Sequence, residues 1–252
     1  MLAPDPDRSG TFMTFPKFHH LILHAAIGWL LAVSPKSAAD EPSRIILTGD
    51  STVASGSGWG DGLIKLMKSD AGCINMGMRG RSSKSYRAEG WWQKVLDAKP
   101  AWVLIQFGHN DQPGKGPKLE TDAKTTFREN LARYIDEARK IGAKPVLVTS
   151  LVRRNFDPQG KISPDLLVPY VEATRAIAAE SKVPLIDLYA RSIAKMNQLG
   201  PESALAYDAV SKDPSKPDKT HLSPIGETET AKLVADEIRK VAPELATYLT
   251  KP

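Results

Sequence analysis

Five short apolar runs at residues 45–48, 73–75, 102–107, 146–149 and 185–187 recur between segments of helical period, and they show little of the polar alternation of a half-solvated strand. A strand that is apolar on both sides must be covered on both sides. That condition is met by a parallel sheet sandwiched between helices. The helical candidates lie near 59–69, 91–98, 124–141, 164–181 and 188–199. In the third spacer Phe127, Leu131, Tyr134, Ile135, Ala138 and Ile141 share one stripe before Gly142. A last helix begins at Ser223-Pro224, an N-cap followed by proline at the first helical position. Five strands alternating with helices predict an α/β, flavodoxin-like three-layer sandwich with a five-stranded parallel sheet. With 252 residues and 41% apolar content, the chain can bury one large core, and no second domain is apparent.

Residues 1–39 read differently from the rest. From Met13 onward, Lys17 is followed by the apolar run LILHAAIGWLLAV (residues 21–33) and then by Ser37-Ala38-Ala39. This is the pattern of an export signal cleaved after Ala39, which leaves 40–252 as the functional domain in the periplasm or outside the cell. The run is too short to span a bilayer comfortably, so no stable membrane association is expected once it is removed. Lys and Arg exceed Asp and Glu by 34 to 29 with no basic arm, which gives nucleic-acid binding little support. The single cysteine, Cys73, cannot form an internal disulfide and sits in an apolar context that suits a buried strand residue.

In a sheet of this kind ligands bind beyond the carboxyl ends of the strands. Three of those ends carry polar clusters: GDST (49–52), NMGMRGRSS (75–83) and GHND (108–111). Gly49 permits a sharp strand-to-turn junction that leaves Ser51 at the rim in a nucleophile-like position. A serine hydroxyl needs a base, commonly histidine held by a carboxylate. Three of the five histidines lie in the leader, which leaves His109 and His221. His221 has Asp218 three residues before it, a spacing that lets the carboxylate reach one ring nitrogen. The Ser51 N–H, the Gly77 N–H and the Asn110 amide are candidate donors for an oxyanion.

The blocks GDS at 49–51, NxG at 75–77, GxND at 108–111 and DxxH at 218–221, in that order, resemble the SGNH (GDSL-type) hydrolase superfamily. Within it, GDST, GRSSKSY with EGWW, FGHNDQ and DKTHLSPIG are similar to the rhamnogalacturonan acetylesterases. The resemblance implies Ser51 as nucleophile, His221 as base, Asp218 as its partner, and Ser51, Gly77 and Asn110 as the oxyanion hole. It also implies an acetylated pectic polysaccharide as substrate, with no cofactor. Asp50 adjoins the serine and is read as shaping the turn. Arg81 and His109 are candidate substrate contacts. Arg79 and Arg87 are considered with Arg81 as partners for a uronic acid carboxylate, and Trp91 and Trp92 as sugar-stacking or core aromatics.

Other chemistries lack their residues. No spacing of His, Cys and carboxylates suggests a metal site, GKG at 114–116 lacks the rest of a phosphate loop, and no GxSxG elbow occurs. The residues leave two alternatives to the acetylesterase: a lipase- or thioesterase-like enzyme with an apolar acyl pocket, and a glycan-binding protein that keeps the fold without turnover.

Overall fold

The computed structural model describes residues 45–251 except 212 and 214. The leader expected at 1–39 lies outside the described residues. β1 (Ile45–Gly49), β2 (Cys73–Asn75), β3 (Trp102–Gln106), β4 (Lys144–Val148) and β5 (Leu185–Ile186) form one parallel sheet in the order β2-β1-β3-β4-β5. This is the flavodoxin-like order. Every residue of β1 and β3 is buried, as their unbroken apolar runs require.

Alternate strand residues face opposite layers. Ile45 and Leu47 of β1 join the cluster with Leu63 of α1 (Gly60–Lys65) and Val234 and Ile238 of α7 (Pro224–Val241). Ile46 points the other way, into the cluster with Val95 of α3 (Trp91–Asp97), Phe127, Leu131 and Tyr134 of α4 (Thr126–Lys140) and Ile177 of α5 (Val168–Glu180). Burying each of these large side chains contributes about 1.5–3 kcal/mol. The helices α6 (Leu188–Ala204) and α8 (Pro243–Ala246) complete the layers.

Four details differ from the sequence reading. The helix α2 (Ser83–Ala88) was not foreseen: it is short and polar, and its start is held by a reciprocal pair in which Ser82 and Ser85 cap each other's backbone N–H. β4 begins at Lys144, two residues early, because Pro145 is harmless there. Lys144 N–H donates to Ala101 O just before β3, while the alternate residues face the β5 side, where Leu147 N–H donates to Pro184 O just before β5. Ile141, expected on the buried stripe of α4, is the C-cap residue and is exposed. Finally, the stretch read as a loop at 207–220 contains a two-stranded antiparallel hairpin, β6 (Asp208–Ala209) and β7 (Asp218–Leu222).

Candidate active site

The turn after β1 is held from within. Asp50 is fully buried, and its Oδ1 accepts from the Thr52 N–H (2.9 Å) and hydroxyl (2.7 Å), while its carbonyl accepts from the N–H groups of Val53 and Ala54. Gln106 at the end of β3 donates to Thr52 Oγ1 (2.5 Å) and accepts from the Trp59 indole (2.9 Å), tying the turn to the sheet. Ser51 is thus presented on a fixed scaffold, and its N–H meets no acceptor among the described residues. Burial alone pushes the Asp50 carboxyl up, but the His109 imidazole and the Thr52 donors outweigh it and hold the group below the usual carboxylate range. Asp50 is therefore a turn-shaping anion.

The second strand end explains why asparagine and glycine stand two apart. Asn75 Nδ2 donates to Val53 O (3.0 Å) and Asp61 Oδ1 (2.8 Å), and its Oδ1 accepts from the Gly77 N–H (3.0 Å). A Cβ on Gly77 would lie 2.7 Å from Ala54 N and 2.9 Å from Ala54 Cα, so only glycine lets this loop lie against the turn after β1. The Gly77 N–H is already engaged by Asn75 Oδ1, so any further acceptor would have to share that hydrogen.

At the third strand end Asn110 Nδ2 donates one hydrogen to Arg81 O (3.0 Å), leaving its second available at the cleft it lines. Asp111 beside it is fully buried and accepts from the Ser83 N–H (3.1 Å) and hydroxyl (2.6 Å) of α2 and from the Thr121 hydroxyl (3.0 Å). Burial pushes the Asp111 carboxyl up to about 7, against the pull of those donors. An acid whose pKa is raised by folding stabilises the fold while protonated in both states and loses that stabilisation as pH rises through its folded pKa. The cost of Asp111 therefore builds up between pH about 4 and about 7 and is present in full above that. Asp111→Asn is expected to compare more favourably with wild type at pH 8 than at pH 5 in urea unfolding.

The hairpin brings in the remaining partners. His221 Nδ1 lies 2.7 Å from Asp218 Oδ2, and His221 Nε2 lies 2.8 Å from Ser51 Oγ, across 170 residues of sequence. A carboxylate only accepts, so Nδ1 carries the imidazole proton and Nε2 is left to accept from the serine hydroxyl. Asp218 Oδ1 also accepts from the N–H groups of Thr220 (3.1 Å) and His221 (2.9 Å), which fixes the carboxylate against its own strand. Burial raises the Asp218 carboxyl, but the His221 and Thr220 donors prevail and hold it below the ordinary range. The hairpin is registered on the nucleophile turn by the Leu222 N–H to Ser57 O (3.0 Å), and Ser57 Oγ in turn donates to Ser51 O (2.7 Å). Ser51, Ser57, Asn110, Asp218 and His221 line an open cleft of about 510 Å³.

Two expected substrate contacts are elsewhere. His109 is 3% exposed and faces Asp50, with Nδ1 3.6 Å from Asp50 Oδ2, so it lies beneath the nucleophile turn and outside the cleft. Arg81 is committed: Nε donates to Glu89 (2.8 Å) and Nη1 to Arg79 O (2.9 Å). Arg87 grips Glu137 through both Nη atoms at 2.8 Å. Trp92 is a core residue stacked edge-on to Tyr134, and the Trp91 ring carries Lys94 Nζ 4.0 Å from its centroid. Burial pushes the Cys73 thiol up to about 12, which removes it from nucleophilic chemistry at ordinary pH.

Arg154 is the residue that sequence reasoning missed. It is 3% exposed, and it bonds the Asp208 carboxylate and the carbonyls of both Asp218 and His221, while its N–H donates to Lys219 O (3.0 Å). One side chain thereby braces the hairpin that carries Asp218 and His221. In sequence it stands in LVRRN, where nothing separates it from a solvated loop arginine. Removing one member of a buried ion pair strands the other. Arg154→Met is expected to cost about 3–5 kcal/mol in urea unfolding, with kcat falling in the variant molecules that remain folded.

The GDSL-like Lipase/Acylhydrolase family matches residues 46–228, a span from β1 into α7 that includes Ser51, Asn75, Gly77, Asn110, Asp218 and His221. The chain belongs to this family. As a GDSL-like acylhydrolase it is a carboxylic ester hydrolase. It is 36% identical over 225 residues to the rhamnogalacturonan acetylesterase RhgT of Bacillus subtilis (strain 168), covering 83% of this chain and 95% of that protein. The probable rhamnogalacturonan acetylesterase YesY of the same organism is 35% identical over 217 residues, covering 83% of this chain and 98% of the relative. Among solved structures, YxiM from Bacillus subtilis superimposes with a TM-score of 0.65 at 25% identity over 79% of this chain; the match spans 56% of that protein.

Proposed function

We propose that this GDSL-like acylhydrolase is a serine esterase that removes O-acetyl groups from rhamnogalacturonan. The observation that carries the chemistry is the continuous chain Asp218–His221–Ser51, at 2.7 and 2.8 Å, opening into a cleft. Ser51 Oγ attacks the acetyl carbonyl carbon as its proton passes to His221 Nε2, and Asp218 stabilises the imidazolium that forms. The oxyanion takes hydrogen bonds from the Ser51 N–H, the Gly77 N–H and the second hydrogen of Asn110 Nδ2, each donor contributing about 3 kcal/mol. The intermediate collapses, and the sugar oxygen leaves with the proton held by His221. Water then attacks the acetyl-serine with His221 as base, releasing acetate.

The small acyl group is favoured by the cleft lining, which is largely glycine, serine and charged or amide side chains. Among the described residues only Ala209 and Val210 bring aliphatic side chains, so a long acyl chain would find little apolar wall. The polysaccharide reading rests on the identity with the two Bacillus proteins. Acetate release from acetylated rhamnogalacturonan, acetyl-xylan and octanoyl esters tests it. The expected order is rhamnogalacturonan fastest and octanoyl esters slowest, and faster release from xylan would overturn the pectic substrate while leaving the mechanism in place. Export belongs to the same proposal, supported by the apolar run at 21–33 followed by Ser37-Ala38-Ala39. N-terminal sequencing of the protein recovered outside the cytoplasm is expected to begin at Asp40.

A further inference from the structure

Of the three arginines at 79, 81 and 87, only Arg79 lines the cleft, and it has no carboxylate partner among the described residues, whereas Arg81 pairs with Glu89 and Arg87 with Glu137. Its guanidinium is nevertheless held in place. Nη2 donates to Gly56 O (2.8 Å) and Ser55 O (3.2 Å), both on the turn that carries Ser51. Nε and both Nη1 hydrogens are left without an acceptor among the described residues. Among the described residues the one carboxylate lining the cleft, Asp218, is occupied by His221 and its own backbone.

A cation fixed beside a nucleophile, with donors to spare and no internal counter-ion, is complementary to an anion on the substrate. We propose that Arg79 is a specificity-determining residue that binds the carboxylate of a uronate unit bearing, or adjoining, the acetyl ester. The assignment rests on the polysaccharide reading above and goes further, because it makes the enzyme a reader of charge: a neutral backbone, or a uronate whose carboxyl is methyl-esterified, leaves Arg79 unpaired. Because the two carbonyls already hold the guanidinium, little side-chain entropy is lost on binding.

The test compares kcat/KM for acetate release from an O-acetylated galacturonic acid oligosaccharide with that from the same compound methyl-esterified at its carboxyls. Wild type is expected to favour the free acid by about 10- to 100-fold, the range of a charge-assisted hydrogen bond. The preference should shrink as ionic strength rises. In Arg79→Gln the ratio should fall to about one, and in Arg79→Lys, which keeps the charge without the planar fork, it should be intermediate. Each ratio is internal to one protein preparation, so loss of folded enzyme does not mimic the effect. If Arg79→Gln does not fold, Arg79→Lys and the salt dependence of wild type decide the matter. A wild-type ratio near one, or an unchanged ratio in Arg79→Gln, overturns the assignment of Arg79 and leaves the deacetylation reading intact. Wild type acting faster on acetyl-xylan than on either uronate compound overturns that reading instead.

Discussion

Alanine at position 51 is expected to lower kcat for ester hydrolysis by about 10⁶-fold, the scale on which loss of a serine nucleophile operates in hydrolases of this logic. Among the described residues no other hydroxyl lining the cleft can take over. Ser57 Oγ donates to Ser51 O at 2.7 Å, and Ser211 Oγ donates to Lys216 O at 2.7 Å, so both are turned toward carbonyls and neither touches His221. The 2.8 Å contact with His221 is the only hydrogen bond of the Ser51 hydroxyl among the described residues. Removing it leaves the turn on Asp50, Thr52 and Gln106, and the urea midpoint should move little. A residual rate of about 10³–10⁴ over water is expected from the oxyanion donors and binding alone. Stopped or single-turnover assays on a small aryl acetate measure the ratio. A glycan-binding protein predicts instead no turnover in wild type and no change on substitution. Retention of more than a tenth of the activity in Ser51→Ala would remove the serine from the mechanism.

The parts of this arrangement that can be read from sequence are those whose physics is local. Burial on both faces forces continuous apolar strands, so Ile45–Gly49 and Trp102–Gln106 announce themselves, and the topology follows from their alternation with helices. The polar clusters after those strands mark the rim, because an abrupt change from buried strand to glycine and small polar residues has few other uses. Asp218 and His221 are three apart on one strand, so their contact is also a local matter. What stayed hidden depends on packing between distant segments. The burial of Arg154 comes from a hairpin more than 50 residues later, and its neighbour Arg153, of the same type, makes a half-buried pair with Asp165. His109 and Asn110 are adjacent in sequence, yet one lies under the turn and the other opens on the cleft, a difference set by the path of the chain after Gly108 at φ +142°. Likewise three neighbouring arginines look interchangeable until Glu89 and Glu137 take two of them.

Asp218→Asn is expected to cost about 10⁴-fold in kcat, although the substitution changes one atom. The carboxylate meets two demands at once: Oδ1 accepts from the Thr220 and His221 backbone N–H groups, while Oδ2 accepts from His221 Nδ1. An amide cannot meet both. With its oxygen kept on the backbone donors, its NH₂ faces Nδ1 and can be satisfied only if Nδ1 becomes an acceptor. The imidazole proton then moves to Nε2, which now donates toward Ser51 Oγ and cannot receive its proton. With the amide turned over, the correct tautomer survives, but an N–H₂ group confronts two backbone N–H donors and the turn that sets the imidazole loosens. Stability shows a second signature. Folding lowers the Asp218 pKa, so its contribution is present above the unfolded value near 3.8 and is lost as pH falls through the folded value. The asparagine variant lacks this contribution, and the stability gap to wild type should therefore narrow on acidification below about pH 4. Steady-state kinetics at neutral pH, paired with urea unfolding at pH 3 and pH 7, measure both effects. A kcat within tenfold of wild type would mean that the tautomer of His221 is set by something other than this carboxylate.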